Sequence, residues 1–84
     1  MLKKLIYERL KSILSESGYD YEFNIEIPDE RFGDYSSNVA LIGARYFKKP
    51  PIEVANFFVE KLNNDPLFSE INVAGPGFIN FKIS

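Results

Sequence analysis

The sequence has neither cysteine nor histidine among its 84 residues. Without cysteine the chain has no disulfide framework and no thiolate metal site, which agrees with a reducing cytosol. Without histidine it lacks the commonest general acid–base group and the commonest metal ligand. We therefore expect no catalytic residue and no metal site in residues 1–84.

Long apolar runs and an excess of positive charge are also missing. No apolar run approaches the roughly 20 residues of a membrane-spanning helix, and the beginning of the chain lacks the continuous apolar segment of a signal peptide. The net charge is −2, whereas a free-standing nucleic-acid-binding domain usually has a basic excess. Any RNA binding is therefore expected to be auxiliary, with most phosphate contacts made elsewhere.

The apolar residues, 45% of the chain, follow helical spacing in three segments. The first segment runs from Leu2 to about Ser17, and Gly18 follows it at a typical helix C-cap position. A second helix is expected after a cap provided by Asp34, Ser36 or Ser37. Its apolar positions include Val39, Ala40, Ile42, Gly43 and Phe47. Pro50 ends it, and Pro51 suits the first turn of a third helix whose buried stripe is Ala55, Phe58, Val59 and Leu62.

Strands are predicted between and after these helices. Apolar residues alternate with polar ones in Tyr21–Ile27, which is typical of a half-buried strand, and Pro28–Gly33 is predicted to be a loop. Ile71–Ala74 and Phe78–Ile83 are two further strands on either side of a bend at Gly75–Gly77. The chain is therefore predicted to be one α+β domain, with about three helices packed on one face of a small antiparallel sheet.

The last strand contains the candidate binding residues. Alternation places Ile79, Phe81 and Ile83 in the core and Phe78, Asn80 and Lys82 on the opposite, open face. A nucleotide can stack its base on the Phe78 ring, hydrogen-bond its base edge to the Asn80 amide and pair its phosphate with Lys82. The pattern alone favours a simpler interpretation, in which the ring packs on a neighbour and the amide is solvated.

Two other segments contain groups that suit phosphate. Lys48 and Lys49 form the strongest local basic patch, although such a patch is more often a solvated surface than a phosphate site. The Gly75–Gly77 glycines lead into a strand and not into a helix, so they predict a structural bend that aims Phe78 and not a phosphate-binding loop.

Three segments together resemble the N-terminal additional domain of arginyl-tRNA synthetase. They are Phe32–Leu41 (FGDYSSNVAL), Lys49–Ala55 (KPPIEVA) and Val73–Phe81 (VAGPGFINF). The resemblance extends from the first helix to Ser84. It implies the same α+β fold and a domain that contacts the D-loop at the outer corner of tRNA.

The resemblance also implies roles for individual residues. In that family an aromatic-x-Asn or aromatic-x-Gln pair holds the base at position 20 of the D-loop, and Phe78 and Asn80 match this pair. Tyrosine is frequent where this chain has Phe78, so stacking is retained while a hydroxyl contact is lost. The resemblance assigns no role to the lysines; from their charge and position alone, Lys82, Lys48 and Lys49 are the expected contacts to the RNA backbone.

Residues 1–84 are accordingly expected to be the tRNA-binding N-terminal domain of a larger, cytoplasmic class I synthetase, arginine–tRNA ligase. That ligase of protein biosynthesis uses ATP to attach L-arginine to its tRNA. Its histidine-containing signature and lysine-rich loop do not occur in this sequence, so no cofactor is expected here. The expected partners are arginine tRNA and the catalytic domain of the same chain, in a monomer with no membrane contact.

Two alternatives come from the residues themselves. A non-catalytic protein-interaction module would dock through the same Phe78 and Asn80 sheet face. RNA binding weakens steeply with salt, whereas apolar docking does not, so salt dependence separates the two. A small enzyme in its own right has no candidate base or nucleophile with a partner.

Overall fold

Three α-helices cover one face of a four-stranded antiparallel sheet in the computed structural model, which describes residues 2–84. The elements, in chain order, are α1 (Leu2–Glu16), β1 (Ile25–Glu26), a 3₁₀-helix (Glu30–Phe32), β2 (Tyr35–Ser37), α2 (Val39–Phe47), α3 (Pro51–Leu62), β3 (Phe68–Ala74) and β4 (Phe78–Ile83). The predicted α+β architecture is confirmed. None of the helices within the described residues is long and apolar enough to cross a membrane.

Helix α1 ends at a left-handed glycine, as the sequence predicts. Gly18 has φ +85°, and its N–H donates to the carbonyl of Ser15 at 3.1 Å. The N–H of Tyr19 donates to the carbonyl of Leu14 at 3.0 Å. These two bonds form a Schellman cap, which satisfies carbonyls that the helix leaves free. The apolar side of α1 is buried through Ile6, Leu10, Ile13 and Leu14.

Helices α2 and α3 meet at a tight corner formed by residues 48–50. Lys48 has left-handed backbone angles, φ 57° and ψ 46°, and the N–H of Lys49 donates to the carbonyl of Ala44 at 3.1 Å. Pro51 occupies the first turn of α3, where proline removes no needed hydrogen bond. Helix α3 buries Val54, Ala55, Phe58 and Leu62.

The sheet has the order β1-β2-β4-β3, so β4 lies between two partners. Ile79 and Phe81 are fully buried beneath the helices, as the predicted alternation requires. On the opposite face, Asn80 lies directly between Ser36 of β2 and Asn72 of β3. In the same way Phe78 pairs with Ala74, and Lys82 pairs with Glu70. Because paired residues share a face, these side chains form the outer face of the sheet.

The predicted strand Tyr21–Ile27 is largely wrong, because only Ile25 and Glu26 pair with β2. Tyr21 and Phe23 are buried by other contacts: the Tyr21 hydroxyl donates to the carbonyl of Val39 at 2.7 Å, and the Phe23 ring stacks on Tyr7 at 4.8 Å. Ile27, which was predicted to be buried, is 79% exposed. Alternating burial therefore comes here from packing on helices and not from a sheet ladder.

The predicted helix caps are also mostly wrong, because Tyr35–Ser37 is a strand. The Asp34 carboxylate accepts a hydrogen bond from the N–H of Ile83 at 2.9 Å and caps no helix. Ser36 lies on the outer sheet face opposite Asn80. Ser37 alone of the three accepts from α2, through the N–H of Val39 at 3.1 Å. Strand β3, predicted over Ile71–Ala74, begins three residues earlier at Phe68, and β4 has the predicted bounds.

Candidate nucleic-acid interface

A groove of about 280 Å³, here called the sheet groove, opens on the outer face of the sheet. Ser36 and Asn80, an opposite pair of β2 and β4, belong to its lining. One side is completed by Pro28 and Phe32 from the loop before β2, and the other side by Ala74, Gly75 and Phe78 at the β3–β4 turn. The groove is thus mostly apolar, with one amide and one hydroxyl in its lining.

Asn80 is only 7% exposed, although its strand position faces away from the core. The prediction of an open surface is wrong for this residue, because the loop Pro28–Gly33 and the β3–β4 turn enclose it. Its side-chain amide makes no hydrogen bond to another residue of the range 2–84. Every fully buried polar side-chain atom in that range does have a hydrogen-bond partner, so the amide atoms of Asn80 are not fully buried. The amide therefore still reaches the groove and keeps a donor and an acceptor for a ligand.

Phe78, which is 38% exposed, lies beside Asn80 in the groove lining. It follows the predicted bend, in which Gly75 has φ +56° and Gly77 has φ +143°. A Cβ at Gly77 would lie 2.8 Å from the Cβ of Pro51, so the turn packs directly on the start of α3. Glycine at this position thereby fixes where β4 begins and where the Phe78 ring lies.

The loop Pro28–Gly33 provides a second aromatic ring that sequence reasoning did not identify. Phe32 is 50% exposed and lines the groove together with Pro28. Because Asp34 bonds to Phe81 and Ile83, the loop comes from the far end of β4, opposite the end that carries Phe78. The two rings therefore enter the groove from opposite ends of the strand.

Phe32 and Ser36 were available in the sequence, inside the segment that carries the family resemblance. The sequence pattern predicts a loop at Phe32 and a possible helix cap at Ser36. No periodic pattern marks either residue as a surface group of the sheet. Only the pairing of Ser36 with Asn80 shows that the two segments share one site.

The three predicted lysines do not line the groove. Lys82 lies on the same face as Asn80 but its Nζ is 3.8 Å from the Glu70 carboxylate. Lys48 and Lys49 are exposed at the α2–α3 corner and form no ion pair with another residue of the range 2–84. They precede Pro51, against which Gly77 packs, so this corner adjoins the turn that carries Phe78.

A guanidinium group adjoins the Phe32 side of the groove. The Arg31 guanidinium carbon lies 5.4 Å from the centre of the Phe32 ring, which is a cation–π distance. Arg31 also contacts the Asp29 carboxylate at 3.2 Å. Hydrogen bonds from the backbone N–H and then the side chain of Arg31 lower the pKa of Asp29. No group of three metal-ligating side chains is present in the described part of the chain.

Comparisons with known proteins agree on one family. The family described as "Arginyl tRNA synthetase N terminal domain" matches residues 1–83. An arginine–tRNA ligase of Thermotoga maritima is 43% identical over 86 residues, covering 100% of this chain and 16% of that protein.

Solved structures give the same result. Arginyl-tRNA synthetase from Thermus thermophilus matches 100% of this chain and 14% of its own with TM-score 0.79 and 25% identity. The enzyme from Plasmodium falciparum matches 99% of this chain and 16% of its own with TM-score 0.86. At 21% identity, the second likeness shows the fold alone. The chain thus spans about one sixth of the length of the proteins that it matches.

Proposed function

Because this chain belongs to the family of arginyl-tRNA synthetase N-terminal domains, we propose that it binds the D-loop of arginine tRNA. In this function residues 1–84 are an auxiliary domain of an arginine–tRNA ligase that acts in the cytoplasm as a monomer. In that enzyme the reaction of ATP, L-arginine and tRNA takes place in a catalytic domain outside these residues. The observation that carries the proposal is the unpaired Asn80 amide enclosed in the sheet groove beside the Phe78 ring.

Asn80 and Phe78 divide the recognition of one D-loop base. A side-chain amide offers a donor and an acceptor, which matches a base edge that presents the complementary couple, as adenine does. Phe78 stacks on the face of the same base, and stacking is tolerant of base identity. Since Asn80 is nearly excluded from water, a base that fails to pair with it leaves the amide unsatisfied, and this increases discrimination.

The lysines are assigned to the RNA backbone with unequal weight. Lys82 is already close to Glu70, so a phosphate must compete with that carboxylate. Lys48 and Lys49 have no such competitor within residues 2–84 and adjoin the turn before Phe78. We therefore assign the larger electrostatic contribution to the α2–α3 corner.

Nuclear magnetic resonance on the ¹⁵N-labelled chain tests this function directly. Addition of an arginine tRNA transcript is expected to shift the side-chain NH₂ signals of Asn80 and the backbone N–H of Phe78. The side-chain amide of Asn56, exposed on α3, serves as the internal control and should not move. A second transcript, lacking only the base at the contacted D-loop position, should leave the Asn80 signals unshifted. Equal shifts with both transcripts would show that Asn80 does not read this base.

The protein-interaction alternative rests on the exposed Phe32 and Phe78 rings beside the groove. Docking of an apolar protein surface there would bury both rings without a phosphate. Phosphate contacts are strongest at low salt. If the tRNA transcript shows no detectable binding even there, the protein-interaction alternative is favoured.

A further inference from the structure

We propose that the loop Pro28–Gly33 forms the second wall of the base site, with Phe32 closing over the base from the end opposite Phe78. This inference rests on the proposed function, because it names a further residue that positions the same base. The occupant is one unstacked base of RNA. The groove of about 280 Å³ lies just below the roughly 300–1,000 Å³ of ordinary small-molecule pockets, which suits a single flat ring system.

The loop is held in place before any ligand binds. Gly33 has φ +122°, and a Cβ there would lie 2.8 Å from the carbonyl oxygen of Phe81, so only glycine permits this approach. The N–H of Asp34 donates to that same carbonyl at 2.8 Å, while the Asp34 carboxylate accepts from the N–H of Ile83 at 2.9 Å. The base of the loop is therefore fastened to β4, the strand that carries Asn80 and Phe78.

The other side of the loop is closed by its own turn. Phe32 donates its N–H to the carbonyl of Asp29 at 2.9 Å, and the Asp29 carboxylate accepts from the N–H of Arg31 at 3.1 Å. These bonds order a segment whose largest side chain, Phe32, stays 50% exposed. Ordering the loop costs conformational entropy. The half-exposed Phe32 side chain offsets little of that cost, because it buries little apolar surface in the fold. A pre-organised exposed aromatic ring is what a stacking site requires, because less freedom is lost on binding.

Arg31 gives this wall a charge that Phe78 lacks. Its guanidinium lies 5.4 Å from the Phe32 ring centre, outside the groove lining. Asp29 holds it by an exposed pair, which is weak and leaves the guanidinium able to contact a phosphate. A base between the rings therefore places its own backbone within reach of a cation on the loop.

The test compares Phe32→Ala with Ile27→Ala, a matched control in which an exposed apolar side chain outside the groove lining is removed just before the same loop. Each variant of this chain is titrated with the intact arginine tRNA transcript and with the transcript lacking the D-loop base. Phe32→Ala should weaken binding of the intact RNA by roughly 5- to 150-fold, as expected for one lost stack. It should not change binding of the abasic RNA. Ile27→Ala should bind both RNAs like the wild type, and Phe32→Tyr should restore binding of the intact RNA.

Two results overturn the inference. The first is unchanged binding of intact RNA by Phe32→Ala, and the second is an equal loss with intact and abasic RNA. Loop collapse is monitored by the backbone N–H signals of Asp34 and Ile83, and if they move, Phe32→Leu replaces Phe32→Ala in the comparison. Phe78→Ala and Asn80→Ala are measured alongside. If these two variants weaken binding and Phe32→Ala does not, only the role of Phe32 is contradicted and the proposed function stands. If none does, the proposed function fails as well.

Discussion

Asn80 is enclosed by the protein, yet the protein gives its amide no hydrogen bond among residues 2–84. No fully buried polar side-chain atom in this range lacks a partner, so the amide is open to the groove and no protein neighbour depends on it. Removing it therefore costs the fold little, whereas removing a satisfied buried amide would strand its partner. The arrangement leaves the amide available to a ligand, as the proposed function requires.

We therefore expect Asn80→Ala to separate stability from binding. Its thermal midpoint should stay within about 4 °C of wild type, because no protein partner is left unpaired. The binding free energy for the arginine tRNA transcript should become less favourable by about 1–3 kcal/mol. The fall should depend on the D-loop base: combined with a base substitution, the two losses should be strongly non-additive. Additive losses would assign base reading to another residue.

Gly77 and Gly18 provide a matched pair for the cost of backbone strain. Both have positive φ, but a Cβ at Gly18 has no heavy atom within 4 Å, whereas one at Gly77 meets Pro51 at 2.8 Å. Gly18→Ala should cost about 1–2 kcal/mol of unfolding free energy, the usual cost of left-handed backbone. Gly77→Ala should cost clearly more, since it adds a clash with α3. Urea unfolding measures both, and equal losses would contradict the direct packing of the turn on Pro51.

At the scale of elements, the helices follow from the sequence while the shorter strands do not. Periodicity and a cap glycine define α1 to within one residue, because both signals are local. Strand β2 contains Ser36 and Ser37, residue types that also favour helix caps, and only its pairing with β4 decides between the two. Ile27 continued an apolar alternation, but the chain leaves the sheet at Pro28 and exposes it.

The candidate site divides in the same way. The alternation within β4 places Phe78 and Asn80 on one face from the sequence alone, because strand geometry has period two. Phe32 and Ser36 come from segments more than 40 residues earlier in the chain, and only their contacts with β4 show that they belong to the groove. Enclosure of Asn80 depends on that long-range packing, and so the sequence predicted an open surface instead.

The corner between α2 and α3 has a lysine where glycine would fit better. Lys48 has φ 57°, which costs a non-glycine residue about 1–2 kcal/mol. Lys48→Gly should therefore raise the unfolding free energy by about 0.5–1 kcal/mol, the remainder being lost to unfolded-chain entropy. It should at the same time weaken tRNA binding. Lys49→Ala is the control that removes a charge without relieving the backbone, and it should weaken binding with no gain in stability. A destabilised Lys48→Gly would contradict the strain argument.

Helix α1 is fastened to the segment before β1 by an exposed charge network. The Lys11 ammonium contacts Asp20 at 3.1 Å and Glu22 at 3.2 Å, and the Tyr7 hydroxyl donates to Glu22 at 2.9 Å. Hydrogen bonds from Tyr7 and then Lys11 lower the pKa of Glu22 below its usual 4.5. A carboxylate with a lowered pKa contributes stability that is complete above the unfolded pKa and is lost as pH falls through the folded one.

Acid unfolding of a Glu22 variant tests this network. As the pH falls below about 5, the wild type should lose stability because Glu22 becomes protonated. Glu22→Gln should lose less stability over the same pH range, because it lacks this contribution from the start. Glu8→Gln, a change on the exposed side of α1 outside the network, should follow the wild-type curve. Thermal midpoints at a series of pH values give the comparison. Parallel curves for wild type and Glu22→Gln would show that the network does not stabilise the fold.

For the whole molecule, the charge distribution and the sheet groove bear on two separate contributions to RNA binding: phosphate contacts and base recognition. The chain carries 10 basic and 12 acidic residues. Four of its basic side chains, Arg9, Lys11, Arg31 and Lys82, contact carboxylates within the described residues. The domain is therefore poorly suited to hold RNA by charge alone. In the proposed function the groove meets a base through uncharged rings and an amide, so base recognition should be largely independent of the charge-dependent part of binding.

A salt titration separates these two contributions. If Lys48, Lys49 and Arg31 each contact one phosphate, the slope of log K against log salt for the tRNA transcript should be about −2, at about −0.7 per contact with single-stranded RNA. Lys48→Gln combined with Lys49→Gln should reduce that slope by about 1.4. The ratio of affinities for intact and abasic transcripts should stay constant across the titration, because stacking and amide pairing release no counterions. The ratio should also be the same in the double lysine variant, whereas Asn80→Ala should lower the ratio and leave the slope unchanged. A ratio that collapses as salt rises would mean that base recognition in this domain depends on phosphate contacts, and the sheet groove would then not be an independent base site.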